Sequence, residues 1–407
     1  SYGLTRGLST IPDLDIIFVV PKAYGDEDQR KMRIIGAGDV SMDSKHMKFS
    51  GLLKSMSYIE VNSNIIPYHS PEEYEALVSR AENESKKLIH TTPGGKLVFT
   101  GGYGKDLYEE IANYALVAGQ IADENEHDVI HAHDWLCYPA GMSAKSASGK
   151  PLVIHVHATD FDRSGGRVNP AVFEIEKMGM AAADRIVAVS NLTRNTIIEK
   201  YGIDASKVTT VYNAVEPLAD HEKIALRRGI EDKVVTFLGR ITLQKGPEYF
   251  VQAAEKVLRK MDNVRFVMAG SGEMLERMIN WAASLGIADR FHFTGFLQGD
   301  DVFRMFSISD VYVMPSVSEP FGISPLEAMQ SNVPTIISNQ SGVAEILKYA
   351  IKTDFWDVDA MADAIYGLLN YPSLSETFIK YGKEEVDNMK WENSANRVYA
   401  IYKDVVN

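Results

Sequence analysis

Val311-Tyr312-Val313-Met314 leads into Ser318-Glu319-Pro320-Phe321-Gly322-Ile323-Ser324-Pro325-Leu326-Glu327-Ala328-Met329. The first four residues are apolar without alternation, the pattern of a strand covered on both faces. The second stretch begins a helix. Ser324 is a good N-cap, Pro325 suits the first helical position, and Glu327 follows three residues after the cap. A buried strand, a loop and a helix start make the repeating unit of a parallel α/β sheet.

The same unit recurs outward along the chain. Strands are predicted at Ile16–Val20, Val129–His131, Leu152–Val156, Arg185–Val189 and Val208–Val211. A second series follows at Val234–Leu238, Arg265–Ala269, Arg290–Phe293, Val311–Met314 and Thr335–Ile337. Stretches of helical spacing separate them, as at Tyr249–Lys260 and Asp359–Leu369. This alternation predicts α/β architecture with two doubly wound parallel-sheet domains. The chain's 407 residues also exceed one comfortable core at roughly 150 residues per domain. The boundary is expected within Glu216–Lys223, giving a first domain over 1–217 and a second over 218–390. A last helix, 391–407, is expected to pack back on the first domain. The charged stretch Tyr24–Lys54 carries no clear pattern. Ser1–Leu8 reads as a short helix leading straight into a strand, and a parallel sheet begins with a strand before such a helix, so a preceding strand is expected ahead of Ser1.

Bulk properties narrow the function. With 42 basic against 55 acidic residues, the net charge of −13 opposes non-specific nucleic-acid binding, which requires basic surface. No apolar run approaches 18 residues and no signal-peptide pattern is present. The lone cysteine, Cys137, cannot form an internal disulfide, which points to a reducing, cytoplasmic setting. Oligomeric state is open.

Four constellations carry chemistry. In the opening stretch, Glu319 and Glu327 stand eight positions apart, one in the loop and one in the helix. Gly322 lets backbone approach a ligand, and free N–H groups at the helix start attract phosphate. The plainer alternative is a capping box of Ser324 and Glu327, which leaves Glu319 and Gly322 unexplained. Second, Gly239-Arg240-Ile241-Thr242-Leu243-Gln244-Lys245-Gly246 follows a buried strand, where ligand crevices form in such sheets. Arg240 and Lys245 can neutralise a diphosphate as it leaves; the alternative is two solvated loop cations.

Third, His131-Ala132-His133-Asp134-Trp135 follows another strand. Trp135 could cover a sugar face while Asp134 takes its hydroxyls; the alternative is an N-cap Asp134 beside a core Trp135. No HExxH or CxxC pattern supplies further metal ligands, so no metal is expected. Fourth, Val153-Ile154-His155-Val156-His157 places His157 just past a strand, while His155 reads as a core histidine. Weaker signals are the glycine turn at Gly270, the Thr294-Gly295-Phe296 loop, and the glycines at 94–95 and 101–104. None completes a dinucleotide fingerprint.

In this order the four elements resemble retaining glycosyltransferases of the GT-B fold, nearest the glycogen and starch synthase branch. The resemblance runs from about Val129 to the C-terminus. Glu319 to Glu327 looks like the family's paired-glutamate motif, and Arg240 and Lys245 fall on its Arg and Lys. It implies two Rossmann-like domains flanking a cleft, a nucleoside-diphosphate sugar donor and a carbohydrate acceptor, with no cofactor and no metal requirement. Arg240 and Lys245 would hold the diphosphate, and Glu327 the ribose hydroxyls. Glu319 and the backbone of Phe321, Gly322 and Ile323 would hold the transferred sugar, with Ser324, Gly239, Gly270 and Phe296 lining the donor site. His157 would contact the sugar, and Asp134 and Trp135 the acceptor. Retention would follow from same-face attack, the leaving phosphate taking the acceptor proton. Glucose and an α-glucan are the expected donor sugar and acceptor.

Three rivals stand beside this reading. A nucleotide-sugar epimerase also needs a diphosphate site. A glucan phosphorylase needs a lysine-bound pyridoxal, for which no motif appears. A degenerate transferase would bind nucleotide sugar without chemistry.

Overall fold

A computed structural model describes residues 2–25, 27, 32–42, 96–97, 99–100, 107–217, 229 and 231–407. The glycines at 94–95 and 101–104, the expected boundary residues 218–223 and most of 24–54 lie outside these described residues. The chain divides into two compact units. One comprises Ser1–Val189, Thr193–Val211 and Glu392–Asn407; the other comprises Ser190–Leu192 and Tyr212–Trp391.

The first unit contains β1 (Ile17–Val20) paired with β2 (Arg33–Gly36), and a four-stranded parallel sheet. That sheet has β3 (Ile130–His133), β4 (Leu152–Val156), β5 (Arg185–Ala188) and β6 (Val208–Thr210) side by side in chain order. All five residues of β4 are buried, as continuous apolar composition requires of a central strand covered on both faces. Leu152, Ile154, Val172, Ile175, Ile186 and Ile197 form its core. The C-terminal helix Trp391–Val406 belongs to this unit. It buries Ala395, Val398, Ile401 and Tyr402, a stripe at helical spacing, and Asp404 pairs with Arg185 at 2.8 Å.

The second unit is one six-stranded parallel sheet of β7 (Lys233–Leu238), β8 (Val264–Ala269), β9 (Phe291–Gly295), β10 (Val311–Met314), β11 (Thr335–Ser338) and β12 (Ile351–Thr353). Their spatial order is β12-β11-β10-β7-β8-β9. The chain therefore builds outward from β7 to β9, then returns to β7's other side with β10. Phe237, Phe250 and Phe266 fill the centre, with neighbouring ring centroids 5.7 Å apart. The helix Pro247–Leu258 starts sharply because Gly246 takes φ 64° and Pro247 follows at the first helical position. Its Phe250, Val251, Ala254 and Val257 face the sheet.

Two strands escaped the sequence reading. β2 sits in a charged stretch, and β12 is a three-residue edge strand, too short to show a pattern. No helix among the described residues is long and apolar enough to cross a membrane.

Candidate active site

The reversal of strand order in the second unit falls between β7 and β10. Loops leaving the carboxyl ends of the two strands beside such a reversal diverge and leave room for a ligand. The loop after β7 carries Arg240 and Lys245; the loop after β10 carries Glu319. They are tied together by backbone. Val317 N–H donates to the Gln244 carbonyl at 2.9 Å. A Cβ on Gly246 would lie 2.1 Å from the Pro315 carbonyl oxygen, so only glycine fits that approach.

Lys245 Nζ donates to Glu319 Oε2. Glu319 is only 8% exposed, and its backbone is clamped by Glu319 N–H to Gln340 O at 2.9 Å and Gly342 N–H to Glu319 O at 2.8 Å. Arg240 stands exposed on the same loop as Lys245, its guanidinium 3.4 Å from Gln244 Oε1. The turns beyond β8 and β9 complete this rim. Gly239 N–H donates to Ala269 O at 3.0 Å, and Gly270 N–H to Gly295 O at 2.8 Å. Gly270 has φ 141°, and a Cβ there would lie 1.8 Å from the Gly239 carbonyl oxygen. Phe296 is 71% exposed just past β9.

The helix start differs from the sequence expectation. Ser324 is not the N-cap: it is the first residue of the helix Ser324–Gln330, and Ile323 precedes it in helical conformation. The Ser324 hydroxyl lies 2.8 Å from the Tyr312 hydroxyl. Tyr312 in turn donates to Leu238 O at 3.3 Å, so Ser324 is the donor of the first bond. The capping box is thus not formed, because a buried tyrosine on β10 claims the serine. Among the described residues the Glu327 carboxylate has no hydrogen-bond partner, and burial raises its pKa. The N–H groups of Phe321, Gly322 and Ile323 likewise meet no acceptor among the described residues. The Phe321 ring itself is buried, so only its backbone is available. Gly322 takes φ 99°, a conformation that glycine tolerates at least cost.

In the first unit β3 and β4 pair with His133 opposite His155. Asp134 has φ 60° and ψ 167°, a strained setting for a side-chain-bearing residue. The strain turns its carboxylate onto the next strand's loop, where Oδ1 accepts from His157 N–H at 2.8 Å and Ala158 N–H at 3.4 Å. Asp134 is therefore not a side-chain helix cap. Trp135 corrects the sequence expectation outright. Its ring is 2% exposed, in the core against Tyr108, because the residue after the strained Asp134 turns inward; it cannot cover a sugar.

His157 Nε2 lies 2.9 Å from His133 Nδ1, and desolvation lowers the pKa of His157 although Asp134 opposes the shift. The loop that carries His157 is braced by a residue the sequence did not flag. Glu176 accepts from Arg163 Nη1 at 2.9 Å, from Asp160 N–H at 3.2 Å and from the Tyr201 hydroxyl. Burial outweighs these bonds and holds the Glu176 pKa up at about 7. One carboxylate inside a helix gives no motif, so only contact reveals it.

His131, His133, His155 and His157 share one face of β3 and β4 and stack ring on ring, adjacent centroids 4.3–5.2 Å apart. His155 is core, as its position inside the strand implied, at 1% exposure. Its two ring nitrogens and His131 Nε2 have no partner among the described residues. An unpaired buried polar atom costs about 1–3 kcal/mol.

Residues 220–385 match the family model for glycosyl transferases group 1, and residues 77–217 that for glycosyltransferase family 4. An uncharacterized glycosyltransferase of Methanocaldococcus jannaschii is 31% identical over 301 residues, 70% of this chain and 77% of that one. The chain belongs to the group 1 glycosyltransferases. This glycosyltransferase is also similar to a D-inositol 3-phosphate glycosyltransferase of Rhodococcus opacus, 27% identical over 366 residues and 80% of each chain. A glycogen synthase of Mycobacterium tuberculosis is 24% identical over 284 residues, 68% of each chain. Among solved structures, sucrose-phosphate synthase from Thermosynechococcus elongatus aligns with TM-score 0.65 at 19% identity, covering 79% of the glycosyltransferase and 86% of that chain. The Anabaena protein HepE, in complex with UDP and glucose, aligns with TM-score 0.63 at 18% identity, covering 72% and 81%. The glycosyltransferase has the GT-B fold of two Rossmann-like domains.

Proposed function

We propose that the chain transfers a hexose, glucose first among candidates, from a nucleoside-diphosphate sugar to a hydroxyl acceptor with retention of configuration. The observation that carries this reading is the Lys245–Glu319 pair at the strand-order reversal, beside the exposed Arg240. A cation and a carboxylate side by side suit the two ends of the bond that breaks. Lys245 and Arg240 take the diphosphate, whose charge grows in the transition state, so fixed cations there lower the barrier. Glu319 and the N–H groups of Phe321, Gly322 and Ile323, unpaired among the described residues, take the sugar hydroxyls. Glu327 accepts the ribose hydroxyls, for which a carboxylate without a partner among the described residues is suited. Gly239, Gly270 and Phe296 line the nucleotide's approach. His157 is assigned to the transferred sugar and Asp134 to the acceptor side.

In the reaction the anomeric carbon–phosphate oxygen bond breaks and the acceptor oxygen bonds to the same face of that carbon. The acceptor's proton passes to the leaving phosphate oxygen. No side chain acts as nucleophile, and the transfer requires no metal because the two cations supply the charge.

The acceptor is a carbohydrate or a cyclitol. An α-glucan agrees with the likeness to glycogen synthase, and an inositol phosphate with the D-inositol 3-phosphate glycosyltransferases. The test offers ADP-glucose, UDP-glucose and other nucleotide sugars to the full-length protein, with a maltooligosaccharide, with inositol 3-phosphate, or alone. Nucleoside diphosphate release and product anomer are followed. Release that depends on one acceptor names it. Nucleotide binding without release under any condition would replace the transferase by a degenerate binding protein, and conversion of the donor sugar without release by an epimerase.

A further inference from the structure

We propose that His131, His133 and His155 form a binding site for a divalent transition-metal ion such as Zn²⁺ on the face of the first unit's parallel sheet. One ring nitrogen from each lies within 4.8 Å of those of the other two. The backbone explains the convergence. Residues two apart on a strand share a face, so His131 and His133 of β3 point the same way. His155 on β4 is registered opposite His133 and joins them.

The hydrogen bonds around the cluster leave the nitrogens a metal would use. His131 engages Tyr402 through Nδ1, and His133 engages His157 through Nδ1. Fixing one ring nitrogen by an outer partner is how ligating histidines are oriented, with the other nitrogen presented to the ion. His131 Nε2 is sealed from solvent and has no partner among the described residues. His155 is 1% exposed with both nitrogens in that condition. A packing role alone would favour apolar side chains at the centre of a buried sheet. A tetrahedral ion with bonds of about 2.1 Å requires ligand atoms about 3.4 Å apart. The stacked rings reach this by turning about χ2, a soft torsion in histidine. The fourth position falls to water.

Because His133 is hydrogen-bonded to His157, the test reads metal binding directly and not activity. The chelator-stripped full chain is titrated with Zn²⁺ against a chromophoric chelator. One equivalent binds, and His131→Gln and His155→Gln each weaken it at least tenfold, while His292→Gln, at an exposed position in the other unit, leaves it unchanged. Circular dichroism checks the fold of each variant. Because His155→Gln alters a buried position, X-ray absorption at the zinc edge of the wild-type protein gives a second readout. Three imidazole nitrogens at about 2.0 Å are expected. No binding, a shell of oxygen neighbours only, or undiminished affinity in a folded His131→Gln variant would overturn the site.

Discussion

The Lys245 ammonium donates directly to the Glu319 carboxylate, joining two residues 74 positions apart at the ends of adjacent strands β7 and β10. The pair stands at the strand-order reversal of the second unit, where the proposed donor site lies. Neither loop alone displays this pairing.

Lys245→Ala lowers kcat by on the order of 100-fold or more, as removal of a cation facing a developing negative charge does. Some stability is lost too, because Glu319 is left without its cation in a largely buried position. Turnover is therefore measured per folded enzyme under saturating donor. Near-normal kcat would remove Lys245 from the diphosphate site.

Glu327→Gln weakens donor binding without lowering the melting temperature. Burial raises the folded-state pKa of Glu327, so its contribution is fully present below the unfolded pKa and is lost as pH rises through the folded value. Above that value the neutral glutamine removes a desolvation cost. Calorimetric titration with a nucleoside diphosphate sugar and a melting curve at alkaline pH separate the effects. A lower melting temperature with unchanged binding would mean that the carboxylate serves the helix.

Asp134→Gly melts higher than Asp134→Ala, by about 1 kcal/mol or more, because glycine occupies φ 60° and ψ 167° with far less strain. Both lose the carboxylate that holds the His157 and Ala158 amides, so both lose activity. Equal melting temperatures would show that the backbone relaxes away from this conformation.

Glu176→Gln flattens stability against pH. With a folded pKa near 7, above the ordinary value of 4.5, the wild-type contribution is complete below about pH 4.5 and falls as pH rises through about 7. The loss is on the order of 3 kcal/mol at neutral pH and above. Denaturant melts at steps from pH 4.5 to 8 read it; parallel profiles for wild type and variant would mean the Arg163 pair keeps Glu176 ionised throughout.

Gly270→Ala is strongly destabilising, since its Cβ would collide with the Gly239 carbonyl oxygen at φ 141°. A loss of several kcal/mol is expected for such an overpacked, strained backbone. Chemical denaturation measures it, and a wild-type midpoint would show that the two turns separate freely.

The sequence by itself determined the architecture. Runs such as Leu152–Val156 and Val311–Met314 are apolar without alternation, which only a strand covered on both faces tolerates, and helical spacing between them dictates the α/β order. It also placed Arg240, Lys245, Glu319 and His157 at strand ends, because those loops follow directly from the runs. Contacts between distant segments were not written there. Trp135 and Asp134 are neighbours in sequence, yet one is core and the other is turned by a strained backbone onto a second strand. Ser324 has the composition of a cap, but Tyr312 on the adjoining strand takes its hydroxyl. The four-histidine face existed in sequence as two His-x-His pairs; register between β3 and β4 made it one cluster. Local backbone preferences act over a few residues and can be read along the chain. Register, burial and the competition for each hydrogen bond are settled only when strands far apart in sequence pack side by side.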